Sequence, residues 1–206
     1  MDFKKILSLP AIYSSYIRLV GGDRFRRVFI GDYVKPQSKS KILDIGCGPG
    51  DVLEYLPAGV EYFGFDMDEG YVAAAKEKSR QSKGAKGEFA CARVSENTLP
   101  SNGDFDIVIA GGVLHHLDDQ EALSLFQLAS TALCEGGRLV TVDGCYVENQ
   151  SRFARILLEH DRGHYVRTEA EYIRLARRVF PDVRSSIRHD LLRIPYTHIM
   201  LDCTKR

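Results

Sequence analysis

The stretch Lys41-Ile-Leu-Asp-Ile-Gly-Cys-Gly-Pro-Gly50 carries a buried-type strand, Lys41–Ile45, directly into glycines at 46, 48 and 50. Alternate glycines after a strand let the main chain pass close to a ligand above the strand's carboxyl end, where side chains would collide. Outward from it, short apolar runs alternate with helical patterns. A short helix is predicted around 52–56, a second strand over 61–65, and a helix over 68–81 with acids early and lysines late, as the helix dipole favours. Residues 88–91 and 105–110 read as strands three and four. Residues 118–134 form a long amphipathic helix with Asp118 as N-cap and Gly136-Gly137 as its stop, and 138–142 is strand five. This rhythm means parallel strands joined by crossover helices on both faces.

Beyond strand five the pattern changes. Two helical stretches, about 149–160 and 168–179, precede strands over 183–188 and 197–202, which are separated only by a turn near Pro195 and are expected to be antiparallel. The first forty residues are expected to be helical from 12 to 33. With 206 residues, 44% apolar and 27% charged, the chain is predicted to be one domain. That length buries roughly 70% of its surface without staples. Residues 1–40 form an N-terminal helical cap and 144–180 a helical lid in this reading.

Zero net charge hides an asymmetry. Residues 1–41 hold nine basic and three acidic side chains, 42–150 seven and eighteen, and 151–193 ten arginines and six acids. An acidic centre argues against nucleic acid as a partner. The uncharged run 6–17 is too short to span a bilayer, so no membrane span is expected. Five scattered cysteines with no C-x-x-C pair point to a reducing, cytoplasmic setting and no metal.

Asp66, closing Phe63-Gly-Phe-Asp-Met67, can accept hydrogen bonds from both ribose hydroxyls of an adenosine. A dinucleotide fingerprint would need a third glycine at position 51, where Asp51 stands and would repel a pyrophosphate. A P-loop is excluded because no Gly-Lys-Ser/Thr occurs.

These motifs resemble the class I S-adenosylmethionine-dependent methyltransferases of the small-molecule branch. The resemblance runs from about Lys41 to Asp143. It includes Phe105-Asp-Ile-Val-Ile-Ala-Gly-Gly-Val-Leu-His-His-Leu117, Cys134-Glu-Gly-Gly-Arg-Leu-Val140 and the closing antiparallel pair. It implies an α/β fold: a doubly wound, mostly parallel seven-stranded sheet in the order 3-2-1-4-5-7-6, the last strand antiparallel. It further implies S-adenosyl-L-methionine as cofactor and S-adenosyl-L-homocysteine as product. Asp44 with Gly46, Cys47, Gly48 and Gly50 would surround the methionine moiety, Asp66 would hold the ribose, and Met67 would pack on the adenine. Arg93 and Val94 would edge the adenine through their backbone, because Ala92-Arg93 stands where the family often has Gly-Asp. Ala110 would flank the methionine amino group.

Methyl transfer from a sulfonium needs alignment and desolvation, with a general base optional. His115 and His116, just past strand four, are the first candidates for base or acceptor contact, and Asp143 is the next. Missing [DN]-P-P-[YFW] and Pro-Cys motifs leave a small-molecule acceptor, O-, N- or C-methylated. Arginines in the basic ends (24, 26, 27, 152, 155, 162, 167), interleaved with Tyr13, Tyr16, His164 and Tyr165, suit an anionic or polar acceptor, including a sugar- or lipid-linked one. A monomer or homodimer is expected. Two other readings stay open: a non-catalytic S-adenosylmethionine binder and a nicotinamide-dependent oxidoreductase.

Overall fold

A computed structural model describes residues 19–82, 84–95, 97–99, 104–161 and 163–206. At the centre of its sheet, β1 (Lys41–Ile45) pairs in parallel with β2 (Glu61–Asp66) and β4 (Phe105–Gly111). β3 (Lys86–Cys91) extends the sheet beyond β2, and β5 (Leu133–Tyr146) extends it beyond β4, both parallel. β8 (His198–Thr204) runs antiparallel to β5, and β7 (Asp182–Arg188) lies antiparallel to β8 at the edge. A two-residue strand, β6 (Arg167–Thr168), pairs with Cys145 and Tyr146 of β5. The order 3-2-1-4-5-8-7 is the expected path, with the last two strands renumbered by β6.

Successive strand residues bury on opposite faces, as the strand period of two requires. Leu43, Val108, Ala110, Leu139 and Leu201 join one core with α3 (Asp119–Ala132) and α5 (Glu169–Ala176). Ile42, Ile107, Ile109, Val140 and Met200 join the other with α2 (Glu69–Gln81) and a π-helical turn, Phe29–Val34. That turn continues α1 (Gly22–Val28). α4 (Arg152–Glu159) packs against the carboxyl end of β5. No helix among the described residues is long and apolar enough to cross a membrane.

Three local departures have physical causes. The helix expected around 52–56 is a 3-10 turn, Asp51–Tyr55, because Leu56 precedes Pro57 and takes an extended conformation. The helix expected from 12 to 33 is interrupted at Val20–Gly21, with Gly21 at φ 104°, and residues 12–18, with Tyr13 and Tyr16, lie outside the described residues. Strand five begins at Leu133. Leu133 pairs with Phe105 and Arg138 with Ile107, so residues 134–137 bulge out of the ladder. The glycine pair read as a helix stop serves this bulge: a methyl group on Gly137 would lie 3.0 Å from the Phe105 carbonyl oxygen.

Candidate active site

The carboxyl ends of β1, β2, β4 and β5 carry Asp44, Asp66, Ala110 and Asp143, the edge where open α/β sheets bind ligands. After β1 the chain turns sharply. The amides of Gly46 and Cys47 both donate to the Phe65 carbonyl, at 2.8 and 3.0 Å. Gly46 stands at φ 77°, and a Cβ there would come within 2.6 Å of Val113. Gly48, at φ 53°, faces open space instead. Its amide donates to Asp66 Oδ2 at 2.9 Å, while Asp68 N donates to Oδ1 at 2.9 Å. Asp66 is thus oriented by two main-chain amides and remains half-buried beside the open backbone.

Asp44 is 3% exposed and accepts a 2.5 Å hydrogen bond from the Tyr62 hydroxyl. Burial pushes its carboxyl up to about 7; the Tyr62 bond opposes that shift and the Asp66 charge adds to it. Cys47 is buried, and its thiol is pushed up by burial and then by the charges of Asp44 and Asp66. Met67 is 73% exposed, an apolar side chain beside Asp66 at the crevice mouth. The Arg93 side chain is turned onto Glu121 of α3 at 2.9 Å, and half-buried Val94 packs on the core. Ala110 is buried at the end of β4. Gly50 caps the 3-10 turn at φ 69°.

Asp51, the residue that spoils a dinucleotide fingerprint, turns away from the crevice. It forms ion pairs with Arg26 of α1 and Lys78 of α2, tying both helices to the glycine loop. Arg26 and Asp51 are only 10% and 12% exposed, so losing one partner leaves a poorly solvated charge. Asp51→Ala is expected to cost about 2 kcal/mol in urea unfolding, whereas Glu77→Ala, whose pair with Arg80 is exposed, should cost under about 0.5.

The second half of the site follows β4. A 3-10 turn, Leu114–His116, buries His115 and leaves His116 exposed, with the rings 4.2 Å apart. His115 Nδ1 lies 2.8 Å from Asp143 Oδ1, which also accepts the His115 main-chain N–H at 3.2 Å. On the other side, Nε2 stands 3.7 Å from Asp161 Oδ1. Burial opposes charge on His115, but the hydrogen bond and charge of Asp143 and then the charge of Asp161 outweigh it, so its pKa sits above 6.5. Burial raises the Asp143 carboxyl while His115 pulls it back. Among the described residues, Asp143 Oδ2 is buried with no hydrogen-bond partner.

The arginines read as a lid for an anion are largely engaged within the protein. Arg167 is 6% exposed. Its guanidinium donates to Asp119 Oδ1 and to the carbonyls of Leu114, Leu117 and Tyr165 at 2.7–3.0 Å. Arg24 pairs with Asp190, Arg26 with Asp51, and Arg155 with Glu159. Arg162 lies outside the described residues. Arg167 is therefore a clamp on the His115 turn rather than a ligand contact.

Three residues of the site escaped sequence reading: Tyr62, Asp161 and Tyr196. Tyr62 sits on β2, on the same side of the sheet as Asp44, a placement visible only once the β1–β2 register is known. Asp161 and Tyr196 are 35 residues apart and meet through a 2.5 Å hydrogen bond.

The sequence model of the methyltransferase domain family matches residues 42–137. The chain is similar to an uncharacterized methyltransferase of Anoxybacillus flavithermus, 27% identical over 147 residues, covering 68% of this chain and 66% of the relative. It is also similar to a ubiquinone biosynthesis O-methyltransferase of Acinetobacter baylyi, 27% identical over 112 residues, covering 54% of this chain and 46% of the relative. The matched stretch thus spans less than two thirds of either relative. Among solved structures it resembles magnesium protoporphyrin IX methyltransferase from Synechocystis with bound S-adenosylhomocysteine. The TM-score is 0.65 at 20% identity, over 89% of this chain and 81% of that one. Sheet order, glycine loop and family match agree: residues 42–137 match the methyltransferase domain family and lie on the sheet of a Rossmann-like methyltransferase fold.

Proposed function

We propose that this chain is an S-adenosylmethionine-dependent methyltransferase acting on a small-molecule acceptor. The observation that carries the reading is the backbone at Gly48, open above and bonded below to the carboxylate of Asp66. The residues fit the cofactor. Asp66 has acceptor capacity beyond its two amide bonds for ribose hydroxyls, and exposed Met67 offers an apolar face for adenine. The main chain at Arg93 and Val94 borders that face. Asp44, with the loop Gly46, Cys47, Gly48 and Gly50, and Ala110 surround the methionine end in this reading.

S-adenosylmethionine, when bound, supplies an activated methyl group, and S-adenosylhomocysteine leaves as product. The protein's share is to align the acceptor, exclude water and remove one proton when the acceptor is O–H or N–H. Asp143 accepts from His115 Nδ1–H and so fixes the tautomer that leaves Nε2 free to take that proton. His116, exposed next to it, contacts the acceptor. In this reading residues 144–180 would form a lid over the acceptor and 1–40 a cap, of which 1–18 and 162 lie outside the described residues. A small acceptor accords with the relatives, one named for ubiquinone biosynthesis and one for magnesium protoporphyrin IX. The scattered free cysteines accord with a cytoplasmic setting.

Calorimetric titration with S-adenosylhomocysteine tests the reading. Wild type should bind, and Asp66→Ala should bind at least tenfold more weakly, since hydrogen bonds to a charged group contribute about 1.5–3 kcal/mol. Absence of binding to the wild type defeats the proposal. Labelled-methyl transfer into a metabolite extract then separates enzyme from binder.

A further inference from the structure

We propose that Asp161 is a positioning residue for His115. It is a second carboxylate, held by the Tyr196 hydroxyl, that stands at the ring nitrogen opposite Asp143 and stabilises the imidazolium formed when the ring takes the acceptor's proton. The inference rests on the reading of His115 as proton acceptor in methyl transfer.

The geometry separates charge from hydrogen bonding. At 3.7 Å, Asp161 Oδ1 is too far from Nε2 for a hydrogen bond, yet close enough for ionic attraction in a nearly buried site. The lone pair of Nε2 therefore remains uncommitted while a negative charge waits beside it. Asp161 is fixed from two sides. Its Oδ2 accepts from Tyr196 at 2.5 Å, and its Oδ1 accepts from the Gly163 amide at 3.4 Å. The close approach depends on Gly163, where an added methyl group would overlap the His115 ring and carbonyl. Tyr165 N donates to the His115 carbonyl at 2.9 Å, and Arg167 holds the carbonyls on either side of the turn.

The groups facing the pair are consistent with this role. Asp143 and Tyr146 come from β5, His116 from the same turn, and Tyr196 and His198 from the β8 side. Burial lowers His198 to about 4, so it stays neutral and adds no repelling charge. When the acceptor's heteroatom bonds the methyl carbon, the sulfur–carbon bond breaks and the acceptor's proton passes to Nε2. The positive charge lost at sulfur reappears on an imidazole flanked by two carboxylates.

The test is an NMR titration of the His115 Cε1–H in wild type, Asp161→Asn and Tyr196→Phe, with S-adenosylhomocysteine affinity measured alongside. Asp161→Asn should lower the proton affinity of His115 about three- to tenfold, because an opposite charge at this range favours the charged form. Tyr196→Phe, which loosens the carboxylate and leaves its charge, should lower it less. With an acceptor in hand, the acid limb of kcat/KM should move to lower pH by the same factor in Asp161→Asn. A His115 proton affinity within twofold of wild type in Asp161→Asn overturns the proposal. If that variant does not fold, an unchanged value in Tyr196→Phe overturns it. Failure of wild type to bind S-adenosylhomocysteine would instead defeat the cofactor reading, and the titration would still decide whether Asp161 sets the charge on His115.

Discussion

Replacing Asp44 with Asn is expected to make the unliganded protein more stable at pH 8 by about 2–4 kcal/mol, a rise in Tm of roughly 5–10 °C. The same change should weaken S-adenosylmethionine binding at least tenfold. Asp44 is buried, and burial lifts its carboxyl from an ordinary 3.8 to about 7. Between those values the unfolded chain has lost the proton and the folded chain keeps it, so wild-type stability falls as pH rises from about 4 to 7. Above 7 the folded chain carries a buried carboxylate, and the full cost stands. Asn keeps an oxygen to accept from Tyr62 and carries no charge. Calorimetric melts of both proteins at pH 4 and pH 8 check this: the gap should be wide at pH 8 and close towards pH 4. A variant no more stable than wild type at pH 8 would show that Asp44 is solvated or paired. Under the proposed function, an ionised carboxylate that costs stability in the empty protein would serve as a counter-charge for a cationic ligand.

Arg167→Ala is expected to destabilise by about 3–5 kcal/mol, because removing the buried guanidinium leaves several carbonyls unsatisfied at roughly 1–3 kcal/mol each. The guanidinium satisfies the carbonyls of Leu114, Leu117 and Tyr165 and the Asp119 carboxylate, and nothing else in that turn can replace four donors. Arg167→Lys should recover little, because a single ammonium cannot span the fork. Urea unfolding measures both. Arg24→Ala, whose pair with Asp190 is exposed, should stay within about 0.5–1 kcal/mol of wild type. Because the clamped carbonyls flank His115, methyl transfer should fall in the Lys variant even where it remains folded. An Arg167→Ala protein as stable as wild type would mean that this arginine is free for an anionic acceptor.

Much of the glycine crevice was readable along the chain because its parts are local. The strand into Gly46 and Gly48 and the strand into Asp66 each declare themselves within ten residues, and parallel pairing with crossover helices then brings the two ends side by side. Apolar strands alternating between two cores likewise follow from period alone. The surroundings of His115 were less readable. His115 and Asp143 could be named from their places after β4 and in β5, but their hydrogen bond depends on the β4–β5 register. That register holds a bulge at residues 134–137, where the sequence suggested only a helix end.

By itself, the amino-acid order determined the layered α/β architecture, the strand path, the glycine crevice with Asp66 beside it, and the absence of a P-loop motif. Those properties depend on hydrophobic period, turn chemistry and residues a few positions apart. Tertiary structure alone decided that Asp51 is a strut between helices, that Arg167 clamps a turn, and that Asp161 and Tyr196 complete the surroundings of His115. Each of those roles depends on which distant side chain arrives to neutralise a charge or fill a hydrogen bond once water is removed. Such pairings leave no periodic trace in the chain.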